Sequence, residues 1–490
     1  MVCARPVAGA PFITQSELRR MRTKIVATVG PATRAQDGIH ALSELGVDVL
    51  RINMAHGRHE EHAEVIKWAR EVCATTDKPL AVLVDLAGPK IRIGSLPESV
   101  QLRDKGHVTL VPEGSEQDDE LPTTYPQLSH DVARGNRILL DDGLMELRVE
   151  KVEGEKVRCT ILRGGLLKQN KGMNLPGIRV SAPALTEKDL VDLEFALEQD
   201  VDYIGLSFVQ RPEDVVDLRS RLPAGPLIVA KIEKDVALEN LESILTETDA
   251  VMVARGDLGV ELPFEQVPIA QKRIIQLANM YGRPVITATQ MLESMMENSR
   301  PTRAEASDVA NALFDGTDAV MLSGETAAGK YPFLAVEAMA RIAGEIERTS
   351  AFEEGPKYDI PVTQHLRVGA TPTEHAISAA TVEAVRLLGA PAVVVFTRTG
   401  GAARLVSSYR PPVPILGVCD DERTWRQLSL VWGVYPVLYP GDPSYEGMLD
   451  FARAELRKLR MGKKGQRIVV TAGVPFHVAG TTNMLRVEEL

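Results

Sequence analysis

The chain has 490 residues, of which 44% are hydrophobic and 25% are charged, and its formal net charge is -11 at pH 7. This composition is ordinary for a soluble globular protein, and the length allows about three domains. The net negative charge excludes a protein that binds nucleic acid in bulk, although it is compatible with a local basic pocket for phosphate groups.

The four cysteines, Cys3, Cys73, Cys159 and Cys419, lie far apart and show no metal-type pairing. They fit a reducing cytosol, so we expect a cytoplasmic protein that is not bound to a membrane. The sequence has no apolar run long enough to span a bilayer, and its first residues lack the hydrophobic region of a signal peptide. We expect residues 1–20 to form a short N-terminal arm.

Eight runs of β-branched and aliphatic residues recur along the chain, and such runs are typical of buried strands. They occupy residues 23–30, 47–53, 80–86, 201–208, 227–233, 250–258, 285–290 and 319–326. Helix-like stretches accompany most of them, for example residues 35–45 after the first run and residues 306–314 before the eighth. Eight strand–helix units predict an α/β fold with a (β/α)8 TIM barrel.

Polar side chains cluster at the C-terminal ends of these runs, which is the end of such a barrel that carries the chemistry. They are Arg51, Asn53, Asp85, Ser207, Lys231, Glu233, Asp257, Thr289 and Glu325. Lys231 and Glu233 are two residues apart on one strand, so they project from the same face. Buried charges of this kind are costly unless a metal or an anionic substrate completes the group, which favours a functional site over a structural ion pair.

An insertion interrupts the barrel between the third and fourth runs. Residues 89–183 alternate short β-like segments with turns, such as Asp141-Asp142-Gly143 between residues 137–140 and 144–149. We expect a small β-barrel domain that grows from the catalytic face and acts as a lid, with a decorative insertion as the alternative. The barrel would then comprise residues 21–88 and 184–348.

The pattern changes again after the barrel. Residues 349–371 are irregular and contain Pro356 and Pro361, which is typical of a linker. Helices and strands alternate over residues 372–490, which predicts a separate C-terminal domain with an open α/β sheet.

One loop of this C-terminal domain combines hydroxyl groups, an arginine and glycines between a strand and a helix. Such a loop suits a phosphate group, although a plain helix cap explains it equally well. Its residues are Thr397, Arg398, Thr399, Gly400 and Gly401.

Eight stretches of the chain resemble pyruvate kinase, and together they span nearly its whole length. They are TKIVATVGPAT (23–33), RINMAHG (51–57), KGMNLPG (171–177), AKIEKDVALENLESI (230–244), MVARGDLGVELP (252–263), ITATQMLESM (286–295), RPTRAEASDVANA (300–312) and MLSGETAAGKYP (321–332). The resemblance implies a barrel A domain, an inserted B-domain lid and a C-terminal regulatory domain. It also implies transfer of the phosphoryl group of phosphoenolpyruvate to ADP, which gives pyruvate and ATP in glycolysis.

The resemblance implies roles for the residues that would meet phosphoenolpyruvate. Lys231 would stabilise the transition state and Arg51 would bind the same phosphoryl group. The substrate carboxylate would meet backbone N–H groups near Gly256 and Asp257 and the hydroxyl of Thr289. Thr289 would also protonate the enolate through water, because a threonine is a poor acid without a relay.

The resemblance also implies a metal site and a nucleotide site. Glu233 and Asp257 would hold Mg2+, with Mn2+ as an alternative ion, and would leave coordination positions for substrate oxygens. The residues that match nucleotide or phosphate contacts are Asn53, His56, Arg92 and Lys171. Because Lys171 lies in the insertion, lid closure would bring it to the nucleotide.

Three departures from the family pattern concern its potassium site. Potassium-dependent members carry Ser and Thr where this chain has Ala55 and Leu86, and Glu where it has Lys90. Asn53 and Asp85 remain, but without two hydroxyl groups they form a poor cage for a weakly held ion. Lys90 follows Asp85 by five residues and would bring its ammonium near the vacated position, so we expect activity without potassium.

Two further departures leave other contacts open. Ala328 replaces a lysine that the family often has near the nucleotide, although Lys330 is close by. Ala402 stands where a Ser or Thr often binds an effector phosphate, so a sugar monophosphate or a nucleotide is as good an effector as fructose bisphosphate. The resemblance also implies a homotetramer with contacts between barrel domains and between C-terminal domains, and residues 300–305 would lie near such a contact.

Two other classes of protein remain as alternatives. A Mg2+-dependent lyase that handles pyruvate or its enolate on a related barrel would share the metal carboxylates, but it would need neither the lid nor ADP. A catalytically inactive binding protein would have no reason to keep the set of Lys231, Glu233, Asp257 and Thr289.

Overall fold

The computed structural model describes residues 21–117, 119–353, 371–474 and 482–490. The predicted N-terminal arm (1–20) lies outside the described residues, as do residues 354–370 of the predicted linker. The strands, numbered along the chain, are β1 (Lys24–Thr28), β2 (Val49–Asn53), β3 (Ala81–Asp85), β4 (Val100–Leu102), β5 (His107–Pro112), β6 (Glu120–Thr123), β7 (Arg137–Leu140), β8 (Met145–Glu153), β9 (Lys156–Arg163), β10 (Gly165–Leu167), β11 (Met173–Asn174), β12 (Tyr203–Leu206), β13 (Leu227–Ile232), β14 (Ala250–Ala254), β15 (Val285–Ala288), β16 (Ala319–Leu322), β17 (Val393–Phe396), β18 (Ile415–Cys419), β19 (Val434–Leu438), β20 (Arg467–Gly473) and β21 (Thr482–Glu489).

The helices are numbered in the same way. They are α1 (Gln36–Glu44), α2 (His59–Thr76), α3 (Leu128–Asp131), α4 (Glu187–Glu198), α5 (Pro212–Arg221), α6 (Asp235–Glu239), α7 (Leu241–Glu247), α8 (Arg255–Glu261), α9 (Val267–Met280), α10 (Arg303–Asp315), α11 (Gly324–Ala327), α12 (Pro332–Ile346), α13 (Ser350–Glu353), α14 (Pro372–Leu388), α15 (Gly401–Ser408), α16 (Glu422–Gln427) and α17 (Tyr445–Lys458). Among the helices of the described residues, none combines the length and the apolar character needed to cross a membrane.

Eight parallel strands close into a barrel in the order β1-β16-β15-β14-β13-β12-β3-β2. Every residue of β1, β3 and β14 is buried, because the barrel interior covers one face of each strand and the surrounding helices cover the other. This two-sided burial explains the continuous apolar runs in the sequence. The predicted (β/α)8 barrel is confirmed, with strands slightly shorter than the runs.

The helix before the eighth barrel strand, α10, begins three residues earlier than the predicted helix 306–314. The Glu305 N–H donates to Thr302 Oγ1 at 3.2 Å, and the Thr302 N–H donates to the Glu305 carboxylate at 2.8 Å. This reciprocal capping box satisfies amides that would otherwise be free at the helix start. The helix therefore begins at Arg303.

The inserted domain consists of a curled six-stranded sheet, in the order β11-β7-β8-β9-β5-β6, and a two-stranded sheet of β10 and β4. Their buried apolar residues form a core separate from that of the barrel. The turn between β7 and β8 contains Asp141, Asp142 and Gly143, with φ values of 51°, 53° and 81°. Asp and Gly tolerate this left-handed region, so the Asp-Asp-Gly turn forms where the sequence predicted it.

The C-terminal domain is an open sheet in the order β19-β18-β17-β20-β21. The first four strands are parallel, and the alternation of strands with helices predicted this arrangement. The last strand, β21, pairs antiparallel with β20 and was not predicted. It is an edge strand with mostly exposed or half-buried residues, so it lacks the apolar run that marks the other strands.

The C-terminal domain packs against the end of the barrel where the strands begin. Leu430 is fully buried and joins the apolar cluster of the barrel interior, which includes Tyr203. Arg426 Nε donates to Asp202 Oδ1 at 2.7 Å, and Asp202 lies just before β12. Because this end is covered, the opposite end, where the strands finish, is the one open to substrates.

Candidate active site

The carboxyl ends of the barrel strands face a cleft beneath the inserted domain, which we call the lid (residues 89–183). Buried side chains of the barrel tie both connections to the lid. The Gly88 N–H donates to Asp189 Oδ1 at 3.1 Å. The Val180 N–H and carbonyl bind the two side-chain atoms of Gln210 at 3.0 and 3.1 Å. The cleft between barrel and lid is lined by residues of both domains.

Lys231 is the centre of a buried charge cluster at this end of the barrel. Its Nζ lies 2.9 Å from Glu233 Oε1 and 3.2 Å from Asp85 Oδ1, and it donates to Ser207 Oγ at 2.7 Å. Burial by itself would lower the pKa of Lys231, but the Asp85 and Glu233 carboxylates raise it above its ordinary value. The ammonium therefore stays charged, and Lys231 and Glu233 lie together as their spacing predicted.

Arg51 forms the second cation of the cluster. Its Nε and Nη2 contact Asp85 Oδ2 at 2.7 and 2.6 Å, and its Nη1 donates to Thr28 Oγ1 at 3.1 Å. Burial opposes ionisation of Asp85, but Lys231 and Arg51 together hold the pKa of this carboxyl below its ordinary value. Asp85 thus keeps two cations side by side, where a phosphoryl group can meet both.

The predicted metal ligands Glu233 and Asp257 come from adjacent barrel strands. Glu233 directly follows β13, and Asp257 lies in the first turn of α8 after β14. Burial, which is the largest influence, and the charge of Asp257 raise the pKa of Glu233, while Lys231 opposes them. Two carboxylates that repel each other in a buried site fit a divalent cation, and their hard oxygens suit Mg2+.

These two carboxylates do not form a complete metal cage. Across the residues that the structure describes, no group of three or more His, Cys, Asp or Glu side chains could hold a metal ion. One oxygen of Glu233 also accepts the Phe208 N–H at 2.7 Å. A Mg2+ ion at Glu233 and Asp257 would therefore need substrate oxygens or water as its remaining ligands, which is the usual arrangement for this ion in phosphoryl transfer.

Thr289 and Gly256 are brought into direct contact. The Gly256 N–H donates to Thr289 Oγ1 at 2.8 Å, and this hydroxyl donates to the Ala288 carbonyl at 2.7 Å. Thr289 has a φ of 64°, an unfavourable value for a β-branched residue. Arg255 holds this backbone by donating to the Thr289 carbonyl at 2.7 Å. Strain of this kind is found at functional sites, where surrounding contacts over-determine it.

Two of the predicted nucleotide contacts follow the second barrel strand. Asn53 is the last residue of β2, and its Oδ1 accepts the Ala55 N–H at 3.1 Å. His56 is exposed, and its carbonyl receives a hydrogen bond from the His62 ring at 3.0 Å. The turn after β2 is thus ordered by local contacts, and the contact of its side chains with a nucleotide stays a prediction.

The other two predicted nucleotide contacts lie on the lid. Arg92 Nη1 donates to the Asn170 carbonyl at 2.9 Å. Lys171 Nζ lies 2.7 Å from Asp141 Oδ1, and this contact raises the pKa of Lys171. Arg92 and Gly172 form a backbone bridge, so the two cations share one region of the lid. To bind a phosphate, Lys171 would have to exchange Asp141 for it.

The residues at the positions of the family's potassium site offer few oxygen atoms to an ion. Ala55 and Leu86 have no side-chain ligand, and both oxygens of Asp85 already contact cations. Lys90 is exposed and lies in the cleft next to the lid, where a Cβ built on Gly172 would come within 4.0 Å of its Cε. Its role as a substitute for the ion stays a prediction.

Lys330 lies beside a carboxylate rather than alone. Its Nζ pairs with Glu297 on the protein surface, and this contact raises the pKa of Lys330. Ala328 directly follows α11. Whether Lys330 takes the place of the missing lysine at Ala328 therefore depends on its release from Glu297 by a nucleotide.

The predicted effector loop connects β17 to α15. It consists of Thr397, Arg398, Thr399, Gly400 and Gly401. Arg398 and Thr399 are exposed, and the Arg398 carbonyl accepts a hydrogen bond from Thr424 Oγ1 at 2.9 Å. Gly400 has a φ of 77°, and a Cβ at this position would lie 2.8 Å from Arg404 Nη1. The loop thus has the strand-to-helix geometry that the sequence predicted, and its ligand stays a prediction.

The sequence pattern assigned no individual role to Ser207, which the structure places against the central lysine. Ser207 Oγ accepts from Lys231 Nζ and donates to the Leu86 carbonyl at 2.7 Å. It was one polar strand terminus among several in the sequence. Its contact with Lys231 depends on the pairing of β12 with β13, and this pairing cannot be read from the sequence alone.

Known proteins are similar to this chain in architecture and in sequence. The family model for the pyruvate kinase barrel domain matches residues 20–336, and the model for the pyruvate kinase alpha/beta domain matches residues 375–488. Pyruvate kinases of Staphylococcus aureus strains MRSA252 and USA300 are each 43% identical to this chain over 475 residues, which covers 95% of this chain and 80% of each relative.

A solved structure supports the same relationship. The crystal structure of a pyruvate kinase from Cryptosporidium parvum matches with a TM-score of 0.89 and 32% sequence identity, and the match covers 98% of both chains. The family models, the curated relatives and the solved structure agree over nearly the whole length. This chain therefore belongs to the pyruvate kinase family of phosphotransferases.

Proposed function

We propose that this chain transfers the phosphoryl group of phosphoenolpyruvate to ADP and so produces pyruvate and ATP in glycolysis. The observation that carries the proposal is the buried cluster at the barrel mouth, in which Asp85 holds Lys231 and Arg51 side by side beneath the lid. Two fixed cations in a partly dry site stabilise the charge of a transferring phosphoryl group more strongly than the same cations in water.

The residues of the cluster divide the work of phosphoryl transfer. Lys231 neutralises the phosphoryl group as it moves, and Arg51 orients it through its guanidinium. Glu233 and Asp257 would hold Mg2+, which would supply Lewis-acid polarisation of phosphoryl oxygens. The pairing of Glu233 with Lys231 keeps the lysine directed at the site before substrate arrives.

Transfer leaves the enolate of pyruvate, which must gain a proton. The Thr289 hydroxyl sits next to the Gly256 N–H, at the position where the substrate carboxylate would bind. Since threonine has little acidity of its own, we assign it the positioning of a water that delivers the proton. The carboxylate would take over the Gly256 N–H from Thr289, which frees the hydroxyl for that water.

Assembly and regulation are part of the same proposal. We expect a homotetramer in which barrels contact each other near residues 300–305 and C-terminal domains contact each other. The exposed apolar side chains Phe264 and Ile269 give the barrel further surface for contacts between copies. A phosphorylated metabolite would bind the loop from Thr397 to Gly401 and favour one arrangement of the tetramer. Sedimentation at assay concentrations tests the assembly, and a monomer alone would contradict it.

A turnover assay tests the catalytic proposal. Phosphoenolpyruvate is incubated with Mg2+, with and without ADP, and pyruvate and ATP are measured separately. We expect both products in equal amounts and only in the presence of ADP. Pyruvate formation without ADP would favour the lyase-type alternative, and the absence of any turnover by a folded protein would favour the inactive binding protein.

A further inference from the structure

A buried carboxylate joins the lid to the barrel in addition to the two chain connections. Asn174 on the lid strand β11 donates from Nδ2 to Glu261 Oε1 at 3.0 Å. Lys234 Nζ lies 3.3 Å from the same oxygen. The Glu261 side chain is only 2% exposed. One oxygen of the carboxylate, Oε1, therefore contacts both Asn174 of the lid and Lys234 of the barrel.

The sequence neighbours of these residues give the contact its significance. Glu261 is the last residue of α8, one helical turn after Asp257, so the two carboxylates project from the same face of the helix. Lys234 directly follows Glu233. Asn174, Lys234, Asp257 and Glu261 line one cleft together with Lys90. The lid contact is thus built on the same two segments that carry the proposed metal ligands.

The lid strand is shaped to present Asn174 to the barrel. Met173 and Leu175 are buried in the lid core, whereas Asn174 between them is directed away from that core because side chains alternate along a strand. The chain reaches its barrel anchor at Val180 only after Gly177, whose φ is 71° and whose N–H donates to Asp235 Oδ2 at 2.7 Å. The contact at Asn174 therefore lies on the lid side of a turn that only glycine adopts easily.

Glu261 has an unusual balance of partners for a buried carboxylate. Its second oxygen, Oε2, is buried and has no hydrogen-bond partner among the described residues. Leaving one oxygen unsatisfied is costly, so the contacts of Oε1 with Asn174 and Lys234 are what hold the charged group in this position. Loss of the lid contact would leave a buried carboxylate with Lys234 alone.

We propose that Glu261 is a positioning residue that latches the lid onto the barrel through Asn174, and that this latch sets the position of the lid cations over the site. The inference rests on the proposed function, because the lid carries Arg92 and Lys171, which are expected to meet ADP. The latch acts on the nucleotide side of the reaction. Its loss raises the KM for ADP more than the KM for phosphoenolpyruvate.

The test exchanges donor and acceptor across the contact. Asn174→Asp places two carboxylates face to face, and the double variant Asn174→Asp/Glu261→Gln restores a hydrogen bond in the reverse direction with the same total charge. The control Asn136→Asp makes the same chemical change elsewhere on the lid, where Asn136 Oδ1 accepts the Ala133 N–H and an aspartate can do so too. Thermal unfolding of each variant checks the fold.

Two readouts distinguish a latch from a merely structural contact. Hydrogen exchange of the backbone amides of residues 173–178 reports on the docking of this lid segment against the barrel, since the Gly177 N–H donates to the barrel residue Asp235. We expect Asn174→Asp to speed this exchange and to raise the KM for ADP about tenfold or more, and the double variant to reverse both effects. The control is expected to behave like the wild type.

The exchange measurement needs no turnover, so it judges the latch even if the proposed reaction fails. Unchanged exchange and KM in a folded Asn174→Asp variant would overturn the proposal. So would a folded double variant that behaves like the single one, because a mere loss of local packing is not repaired by reversing the hydrogen bond.

Discussion

The Asp85 carboxylate lies 3.2 Å from the Lys231 ammonium, and the two groups come from different strands of the barrel. The opposite oxygen of Asp85 contacts Arg51. In the sequence, Asp85 was one of the polar strand ends at the catalytic end of the barrel and part of the remnant of a potassium site. Its position between both cations makes it the group that keeps two positive charges close together. Asp85, a residue that remains from the family's potassium site, therefore also orders the two cations that are proposed to bind the phosphoryl group.

Asp85→Asn is expected to destabilise the fold in a pH-dependent manner. Burial opposes ionisation, but Lys231 and Arg51 hold the pKa of Asp85 below its ordinary value of 3.8. A carboxyl group with such a depressed pKa stabilises the fold above its ordinary pKa and loses this contribution as the pH falls through the folded-state value. Breaking a buried ion pair costs about 3–5 kcal/mol, so we expect a loss of this order at neutral pH.

Urea unfolding of the wild type and Asp85→Asn over a range of pH measures this difference. It should be constant near neutral pH and shrink as the pH falls toward 3.8 and below. Asp217→Asn serves as the control, because Asp217 forms an exposed pair with Arg221. A difference for Asp85→Asn that does not change with pH would show that the ion pairs do not cause it.

Lys231→Met is expected to lower kcat by about 10²–10³ with a smaller effect on the KM for phosphoenolpyruvate, because the proposed role of the ammonium is to stabilise charge that moves in the transition state. Steady-state kinetics measure both constants. Lys24→Met is the matched control, since Lys24 is also a buried lysine on a barrel strand but donates to the Val434 carbonyl at the far end. A folded Lys231→Met enzyme with near-normal kcat would remove this role.

Glu233→Gln and Asp257→Asn are expected to raise the Mg2+ concentration needed for half-maximal activity, because each would remove a charged oxygen from a proposed metal ligand. Titration of activity with Mg2+, and with Mn2+ in parallel, gives this concentration. Glu239→Gln, at an exposed position on α6, controls for the loss of a carboxylate nearby. If both site variants titrate like the wild type, these residues are not the ligands.

Activity is expected without potassium. The assay is run in a bulky tetraalkylammonium salt at matched ionic strength, and potassium is then added. The tethered ammonium of Lys90 would supply the positive charge, so added potassium should have little effect. Strong stimulation of the wild type would contradict this prediction.

The same assay examines Lys90 itself. Lys90→Glu should lose most activity in potassium-free buffer, and full rescue by potassium should also require Ala55→Ser and Leu86→Thr, which restore two oxygen ligands. Lys168→Glu makes the same charge reversal at another exposed lysine of the lid and should leave activity unchanged.

Arg398→Ala is expected to abolish the response to whichever phosphorylated metabolite proves active in a panel of sugar phosphates and nucleotides, while basal turnover stays the same. The arginine would pair with the phosphate at the start of α15. Activity at a low concentration of phosphoenolpyruvate, with and without each metabolite, measures the response. Arg457→Ala, on an exposed helix position, is the control, and an unaltered response in Arg398→Ala would place the effector elsewhere.

The barrel could be predicted from the sequence because each of its strands carries a local signal. Burial on two faces requires an apolar run, and the polar residue that ends each run marks the catalytic end. The pairing of Lys231 with Glu233 followed from their spacing for the same reason, since side-chain direction on a strand is set by the local backbone. The Asp-Asp-Gly turn of the lid was equally local.

The contacts between segments far apart in the chain were decided by the tertiary structure. Strand pairing and barrel closure bring Asp85 and Ser207 to Lys231. Docking of the lid brings Asn174 to Glu261, 87 residues away in sequence. The hydrophobic periodicity of the sequence does not predict such long-range contacts, because these hydrogen bonds form only after the intervening chain has folded. The sequence by itself determined which residues could do the chemistry, and the tertiary structure decided which of them hold one another in place.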